Sequence, residues 1–164
     1  MNPELQGYGD QLLSIRQDAT GLMSGLSDAQ FNWQPGPDRW SMGGCFDHLN
    51  KSAAGLFMPT IDRALADARA RNIRSDGPFA YPLLERWFVK TSDAPAKMKF
   101  KAQKKFQPAP PLSVDQVRAE FLRWQDELRK RLRDSDGYDI QRVKQPFPFW
   151  PLKWSLGGLP LQVY

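Results

Sequence analysis

The segment Cys45-Phe-Asp-His48 brings together the only cysteine and the only histidine of the chain. Residues three apart share a face on a helix, so the thiol and the imidazole would lie one turn apart. Both groups can bind zinc at that spacing, but a structural zinc site has four ligands, and no other cluster in the sequence completes this pair. We therefore interpret Cys45 as a small core residue. The residues alone leave His48 as a candidate metal ligand without favouring that role over a structural one.

The predicted helix gives His48 a face made of small residues. These are Ser41, Gly44, Cys45, Ser52 and Gly55. Such a face either lets another helix approach closely or leaves space for a ligand beside the imidazole. Close approach is the more ordinary role, and the sequence alone leaves both interpretations open.

Two carboxylates and two tryptophans lie near this face. Asp47 and Asp62 could add oxygen ligands, but their helical positions direct them elsewhere, and we predict that Asp47 faces solvent or caps a backbone group. Trp33 and Trp40 flank the turn before the helix. They could cover a substrate pocket, but we favour a hydrophobic staple that fixes the entry of the chain into the helix.

Three amphipathic helices would position these residues. The first is predicted over residues 4–26. The second begins at the N-cap Ser41 and kinks or restarts at Pro59, and the third begins at the N-cap Ser113 and stops at the turn 134–137. Their predicted buried stripes are Leu5, Tyr8, Leu12, Ile15, Ala19, Leu22 and Leu26; Met42, Phe46, Leu49, Ala53 and Leu56; and Val114, Val117, Phe121, Trp124, Leu128 and Leu132.

Residues 73–112 break the helical pattern. Five lysines and no acid occur from Lys97 to Lys105, and the alternation of lysines with apolar residues over 97–102 has the period of a strand. Interleaved cations and aromatic rings could bind single-stranded nucleic acid. We favour a solvated edge strand, because lysines on exposed edges oppose aggregation, and we do not expect nucleic acid as a partner.

The length of 164 residues, 41% of them hydrophobic, predicts one domain with its own core. No apolar run approaches the roughly 18 residues of a membrane span, so we expect no membrane partner, and the first residues lack the pattern of a signal peptide.

A single cysteine permits no internal disulfide, so we expect a cytoplasmic protein. The apolar segment 156–164 predicts the beginning of a fourth core element, as in a four-helix bundle that is cut early in its last helix. The alternative is that this segment packs as an extended tail.

Two runs of the sequence carry a resemblance to a known family. The first runs from Phe31 through Trp33 and Trp40-Ser41 to Asp47-His48-Leu49, and the second joins residues 143–150 to Leu156-Gly-Gly-Leu159. In order and spacing both are similar to the DinB/YfiT-like superfamily, and the first run is the sharper of the two. The resemblance spans most of the chain but is weak over 73–112.

The resemblance implies an all-α fold, a DinB-like four-helix bundle of the up-down-down-up type whose fourth helix is truncated or only begun. It implies a single domain over residues 1–164 with an irregular insertion at about 73–112. It also implies a homodimer and a divalent metal, zinc or nickel, held by three histidines. One of these lies at the position of His48, and the other two form a His-x-x-x-His pair on the last helix.

The function implied by the resemblance is that of a metal-dependent enzyme of the thiol-dependent transferase, isomerase or hydrolase class. Its substrate would be a small molecule such as a thiol. The chain has no second histidine, so the His-x-x-x-His pair cannot be assigned to any residue. We therefore expect an incomplete metal centre in this chain, with the metal absent or weakly held. The alternative is a non-catalytic helical-bundle protein that dimerises through apolar faces without a metal.

Overall fold

The computed structural model describes residues 1–79 and 102–143, and these residues form helices joined by turns. The α-helices are α1 (Pro3–Met23), α2 (Asp28–Phe31), α3 (Met42–Ser52), α4 (Met58–Ala70) and α5 (Val114–Asp134). A π-helical turn (Ala53–Phe57) joins α3 to α4, and 3-10 turns occupy Lys104–Phe106 and Ile140–Arg142. The described residues contain no strand beyond one antiparallel bridge between Arg74 and Tyr138. The predicted all-α helical fold is confirmed.

The long helices pack side by side with defined directions. Ala19 and Met23, near the end of α1, share a core cluster with Val114 and Val117 at the start of α5, so these two helices are antiparallel. The α3–α4 unit runs parallel to α5, because Phe46 packs on Phe121 early in both and Asp62 pairs with Arg131 late in both. This is the up-down-down order of the predicted bundle. The predicted fourth helix falls within 144–164, outside the described residues.

The break between α3 and α4 follows from Pro59. Proline has no N–H, so the carbonyl of Gly55 receives no helical hydrogen bond from it. The chain instead widens into the π-helical turn, in which the N–H of Met58 donates to the carbonyl of Ala53, five residues back. The predicted restart at Pro59 is confirmed.

The start of α5 is held by α2 rather than by its own N-cap residue. The side chain of Ser113 makes no capping hydrogen bond. The N–H of Val114 donates to Oδ1 of Asp28 at 2.8 Å, and the side-chain amide of Asn32 exchanges two hydrogen bonds with the main chain of Leu112. Ser113 is the N-cap residue, as predicted, but its hydroxyl makes no capping hydrogen bond, because a carboxylate from a distant element occupies that role.

Several predicted stripe residues lie on the surface. Ile15, Leu22, Met42 and Leu49 are exposed. On α3 the buried face is rotated toward Gly43, Asp47 and Asn50. Nδ2 of Asn50 donates to the carbonyl oxygen of Val117 at 3.1 Å, which offsets part of the cost of burying the amide, while its Oδ1 has no hydrogen-bond partner among the described residues. On α5 Gln125 is buried and Trp124 only half-buried.

The helix ends are set by glycines in the left-handed region. Gly25 has φ 71° and follows α1, which stops at Met23 rather than at the predicted residue 26. Gly137 has φ 78° and follows α5, as predicted. Within the described ranges, no helix is long and apolar enough to cross a bilayer.

The predicted edge strand over 97–102 lies outside the described residues except for Ala102. The two lysines that follow, Lys104 and Lys105, are exposed and belong to a 3-10 turn.

Candidate metal-binding site at His48

A short segment of chain crosses the face of α3 that carries His48. We name residues 104–109 the strap. Three side chains of α3 hold its main chain: Nδ1 of His48 lies 2.8 Å from the carbonyl oxygen of Phe106, Nζ of Lys51 donates to that of Gln107, and Oδ2 of Asp47 accepts from the N–H of Ala109. The strap is therefore fixed by three side-chain-to-backbone hydrogen bonds from one helix.

The small residues beside His48 make room for the strap. A Cβ atom on Gly44 would lie 3.3 Å from a side-chain carbon of Pro108, and one on Gly55 would lie 3.0 Å from the ring of Phe106. Both distances are shorter than ordinary carbon contacts. The close-approach interpretation of the small face is confirmed, although the approaching element is an irregular segment and not a helix.

The imidazole of His48 is half-buried and oriented from two sides. The ring of Trp40 covers it, with centroids 5.0 Å apart and an interplanar angle of 51°. A carbonyl oxygen only accepts, so Nδ1 must be the donor in the bond to Phe106. In the neutral ring the lone pair is then on Nε2, for which no hydrogen bond is found among the described residues.

Asp47 lies under the strap and not in solvent. Its side chain is 12% exposed, and Oδ2 lies 2.8 Å from Nζ of Lys51 and 3.1 Å from the N–H of Ala109. Of the two alternatives for Asp47, capping of a backbone group is confirmed and exposure to solvent is wrong. Asp62, the other carboxylate considered, is paired with Arg131 at 2.8 Å.

Cys45 is exposed, so its assignment to the core is wrong. The helix turns this position outward while Gly44 and Phe46 on either side are buried. Partial desolvation raises the pKa of the Cys45 thiol, which disfavours the thiolate that would bind a metal.

The two tryptophans have different environments. Trp33 is 68% exposed, so it does not act as a staple. Trp40 is 38% exposed. Its Cβ lies 3.3 Å from where a Cβ of Gly44 would be, and its ring rests on His48. Trp40 thus packs on the first two turns of α3, as a staple does, and it also shields one face of the imidazole.

The residues that the structure describes do not complete a metal centre. Within 1–79 and 102–143, no group of three or more histidine, cysteine, aspartate or glutamate side chains could hold an ion, and His48 is the only histidine in the chain. The site does supply Nε2 of His48, while Nδ1 of the same ring is hydrogen-bonded to the carbonyl oxygen of Phe106. That outer hydrogen bond is the arrangement usually seen for histidines that ligate metals.

The sequence did not reveal the strap. Phe106, Gln107 and Ala109 contribute main-chain atoms, and main-chain atoms have no residue-type signature. The only hint was the run of small residues on α3, which predicted that something would approach without identifying it.

Comparison with known families gives one match. The model of the DinB superfamily matches residues 11–159, which includes the whole of the site described above. No curated protein matches the chain, and no solved structure matches it either.

Proposed function

Since this chain belongs to the DinB superfamily, we propose that it is a metal-dependent enzyme of the thiol-dependent transferase, isomerase or hydrolase class whose own residues supply only part of the metal centre. His48 is the ligand that this chain provides, through Nε2. The observation that carries the proposal is the 2.8 Å contact between Nδ1 of His48 and the carbonyl of Phe106, because it leaves Nε2 as the basic nitrogen.

A single imidazole binds a divalent ion weakly, because stable zinc centres use three or four protein ligands. We therefore propose that zinc or nickel is held loosely by the isolated chain. The substrate is a small molecule, such as a thiol. In this proposal the chain is a single domain over residues 1–164 with an irregular insertion at about 73–112, acts in the cytoplasm as a homodimer, and has neither a membrane nor nucleic acid as a partner.

The experiment is a calorimetric titration of the metal-free protein with zinc and, separately, with nickel. We expect weak binding that falls by roughly tenfold or more in His48→Ala. Cys45→Ser is the matched control, because it removes the neighbouring donor from the same helical turn and is expected to leave the affinity unchanged. An affinity that is the same in His48→Ala and in the unmodified protein would remove His48 from the metal site.

A second candidate function rests on the exposed apolar residues near this site. Trp33 is 68% exposed and Leu49 45%, and Met42 lies two turns before Leu49 on the same side of α3. Exposed apolar side chains that share one surface, as Met42 and Leu49 do on α3, are typical of protein interfaces. On this alternative the chain is a non-catalytic helical-bundle protein that dimerises without a metal.

Sedimentation equilibrium over a concentration series tests the alternative. If the alternative is right, the unmodified protein is a dimer that binds no metal. The Leu49→Lys variant is then a monomer with the same helicity. A monomer at every concentration would contradict it.

A further inference from the structure

A groove lies between the first turns of α1 and the last turns of α5, away from His48. It encloses a cavity of about 190 Å³. Leu5 and Leu132 form its floor and are 1% and 7% exposed. Gly9 leaves the wall open, since a Cβ atom added there would meet nothing within 4 Å. We name this feature the α1–α5 groove, and it shares no residue with the strap or with α3.

The rim of the α1–α5 groove carries two guanidinium groups. Arg129 and Arg133 are four residues apart on α5, so they lie on one face of the helix and repel each other. Neither makes an ion pair or a side-chain hydrogen bond in the described part of the chain. Every other arginine of α5 has a partner: Arg118 binds Asp115, Arg123 binds Glu120, and Arg131 binds Asp62 and Glu127.

Two cations that have no partner among residues 1–79 and 102–143, beside an apolar floor, are complementary to an anion with an apolar body. A guanidinium group binds a carboxylate through two parallel hydrogen bonds, which favours arginine at such sites. Asp10, across the groove on α1, repels an anion and weakens this attraction without cancelling it, and the ammonium group of Met1, which also lines the groove, is paired with Asp136. The cavity is smaller than the roughly 300–1,000 Å³ of pockets for drug-sized molecules, so the ligand is small.

We propose that the α1–α5 groove binds a small aliphatic monocarboxylate, with its carboxylate on Arg129 and Arg133 and its hydrocarbon chain over Leu5 and Leu132. This site is independent of the function proposed above, and its test uses no metal.

The first test is a calorimetric titration of the full chain with acetate, butanoate and hexanoate at fixed ionic strength. We expect saturable binding whose affinity rises by about fourfold for each methylene buried on the floor. Sulfate at the same ionic strength is expected to bind more weakly than hexanoate, because it has no hydrocarbon chain to cover the apolar floor. Equal affinity for all three carboxylates and for sulfate would show a basic surface without a groove site and would overturn the proposal.

The second test uses paired substitutions with the same ligands. Arg129→Gln and Arg133→Gln are each expected to weaken hexanoate binding at least tenfold, whereas Lys130→Gln, which removes the same charge from the adjacent exposed position, is expected to change it less than twofold. Asp10→Asn is expected to tighten binding. If Lys130→Gln weakened binding as much as the arginine variants, the effect would be net charge alone and the proposal would fail.

The third test blocks the groove without removing charge. Gly9→Leu places a side chain in the open wall and is expected to abolish hexanoate binding. Gly7→Leu is the matched control, because Gly7 is exposed, also meets nothing within 4 Å of an added Cβ, and does not line the groove. Hexanoate binding that persists in Gly9→Leu, with helicity equal to that of Gly7→Leu, would overturn the proposal.

Discussion

Nδ1 of His48 lies 2.8 Å from the carbonyl oxygen of Phe106, a residue 58 positions further along the chain. This contact fixes the orientation of the ring and also its tautomer, because the carbonyl oxygen can only accept a hydrogen bond. It is the feature that distinguishes the two nitrogens of the only histidine.

We predict that the neutral ring of His48 is the Nδ1–H tautomer. Nitrogen chemical shifts and long-range proton couplings in protein labelled with ¹⁵N-histidine measure this directly, and a single histidine gives an unambiguous spectrum. The same protein in concentrated urea serves as the reference without tertiary contacts. A folded protein with the proton on Nε2 would contradict the hydrogen bond to Phe106.

We predict that Asp28→Ala destabilises the protein by about 1 kcal/mol, because the N–H of Val114 loses its capping acceptor. Asp28→Asn retains an acceptor and is expected to cost less. Ser113→Ala is expected to change the free energy of unfolding little, since the hydroxyl of Ser113 makes no capping bond. Urea titrations followed by circular dichroism provide the three values, and a larger loss in Ser113→Ala than in Asp28→Ala would be inconsistent with this assignment.

We predict opposite effects of alanine at two helical glycines. A Cβ atom on Gly43 would lie 2.8 Å from the buried ring of Phe31, so Gly43→Ala is expected to destabilise by about 1–3 kcal/mol through overpacking. Gly9 meets nothing, so Gly9→Ala is expected to stabilise by up to about 1 kcal/mol through helix propensity. Thermal unfolding of both variants, compared with the unmodified protein, measures these changes in stability. A stabilising effect of Gly43→Ala would show that Phe31 does not pack as described.

We predict that the Cys45 thiol reacts slowly at neutral pH although the residue is exposed. Desolvation raises the pKa of this thiol above its ordinary range, which leaves little thiolate. The rate of reaction with an aromatic disulfide is expected to fall below that of a free thiol such as glutathione at about pH 7 and to increase with pH. Reaction faster than that of glutathione would indicate an activating neighbour that the described residues do not supply.

We predict a small loss of stability in acid from the pair formed by Glu127 and Arg131. The side-chain hydrogen bond from Arg131 lowers the pKa of the Glu127 carboxyl below its ordinary value. A lowered folded-state pKa stabilises the protein above the unfolded-state pKa, and this contribution is lost as pH falls through the folded-state value. Denaturant midpoints from about pH 6 to about pH 3 should fall less steeply in Glu127→Gln than in the unmodified protein. If the midpoints of the two proteins fell equally with pH, the pair would contribute nothing to the pH dependence of stability, as is common for exposed ion pairs.

The sequence by itself determined the helices and several of the residues at which they begin, break and end. The apolar period near 3.6 predicts α1 and α5, and the capping hydroxyl of Ser41 accepts from the N–H of Gly44 as expected. Pro59 breaks the second helix, and Gly137 follows the end of the last one. These features depend on interactions within a few residues, so the local sequence is enough to specify them.

Only the tertiary structure decided which side of α3 is buried and what lies against His48. Hydrophobic periodicity placed Met42 and Leu49 inside, whereas the fold buries Asp47 and Asn50 in their place. Distant backbone groups accept from Nδ2 of Asn50 and donate to Oδ2 of Asp47, although Oδ1 of Asn50 has no hydrogen-bond partner among the described residues. The partners of Asp28 and His48 lie 86 and 58 residues away and contribute only main-chain atoms. Every residue type carries the same main-chain groups, so the sequence cannot mark them as partners, and they are selected only when the helices pack.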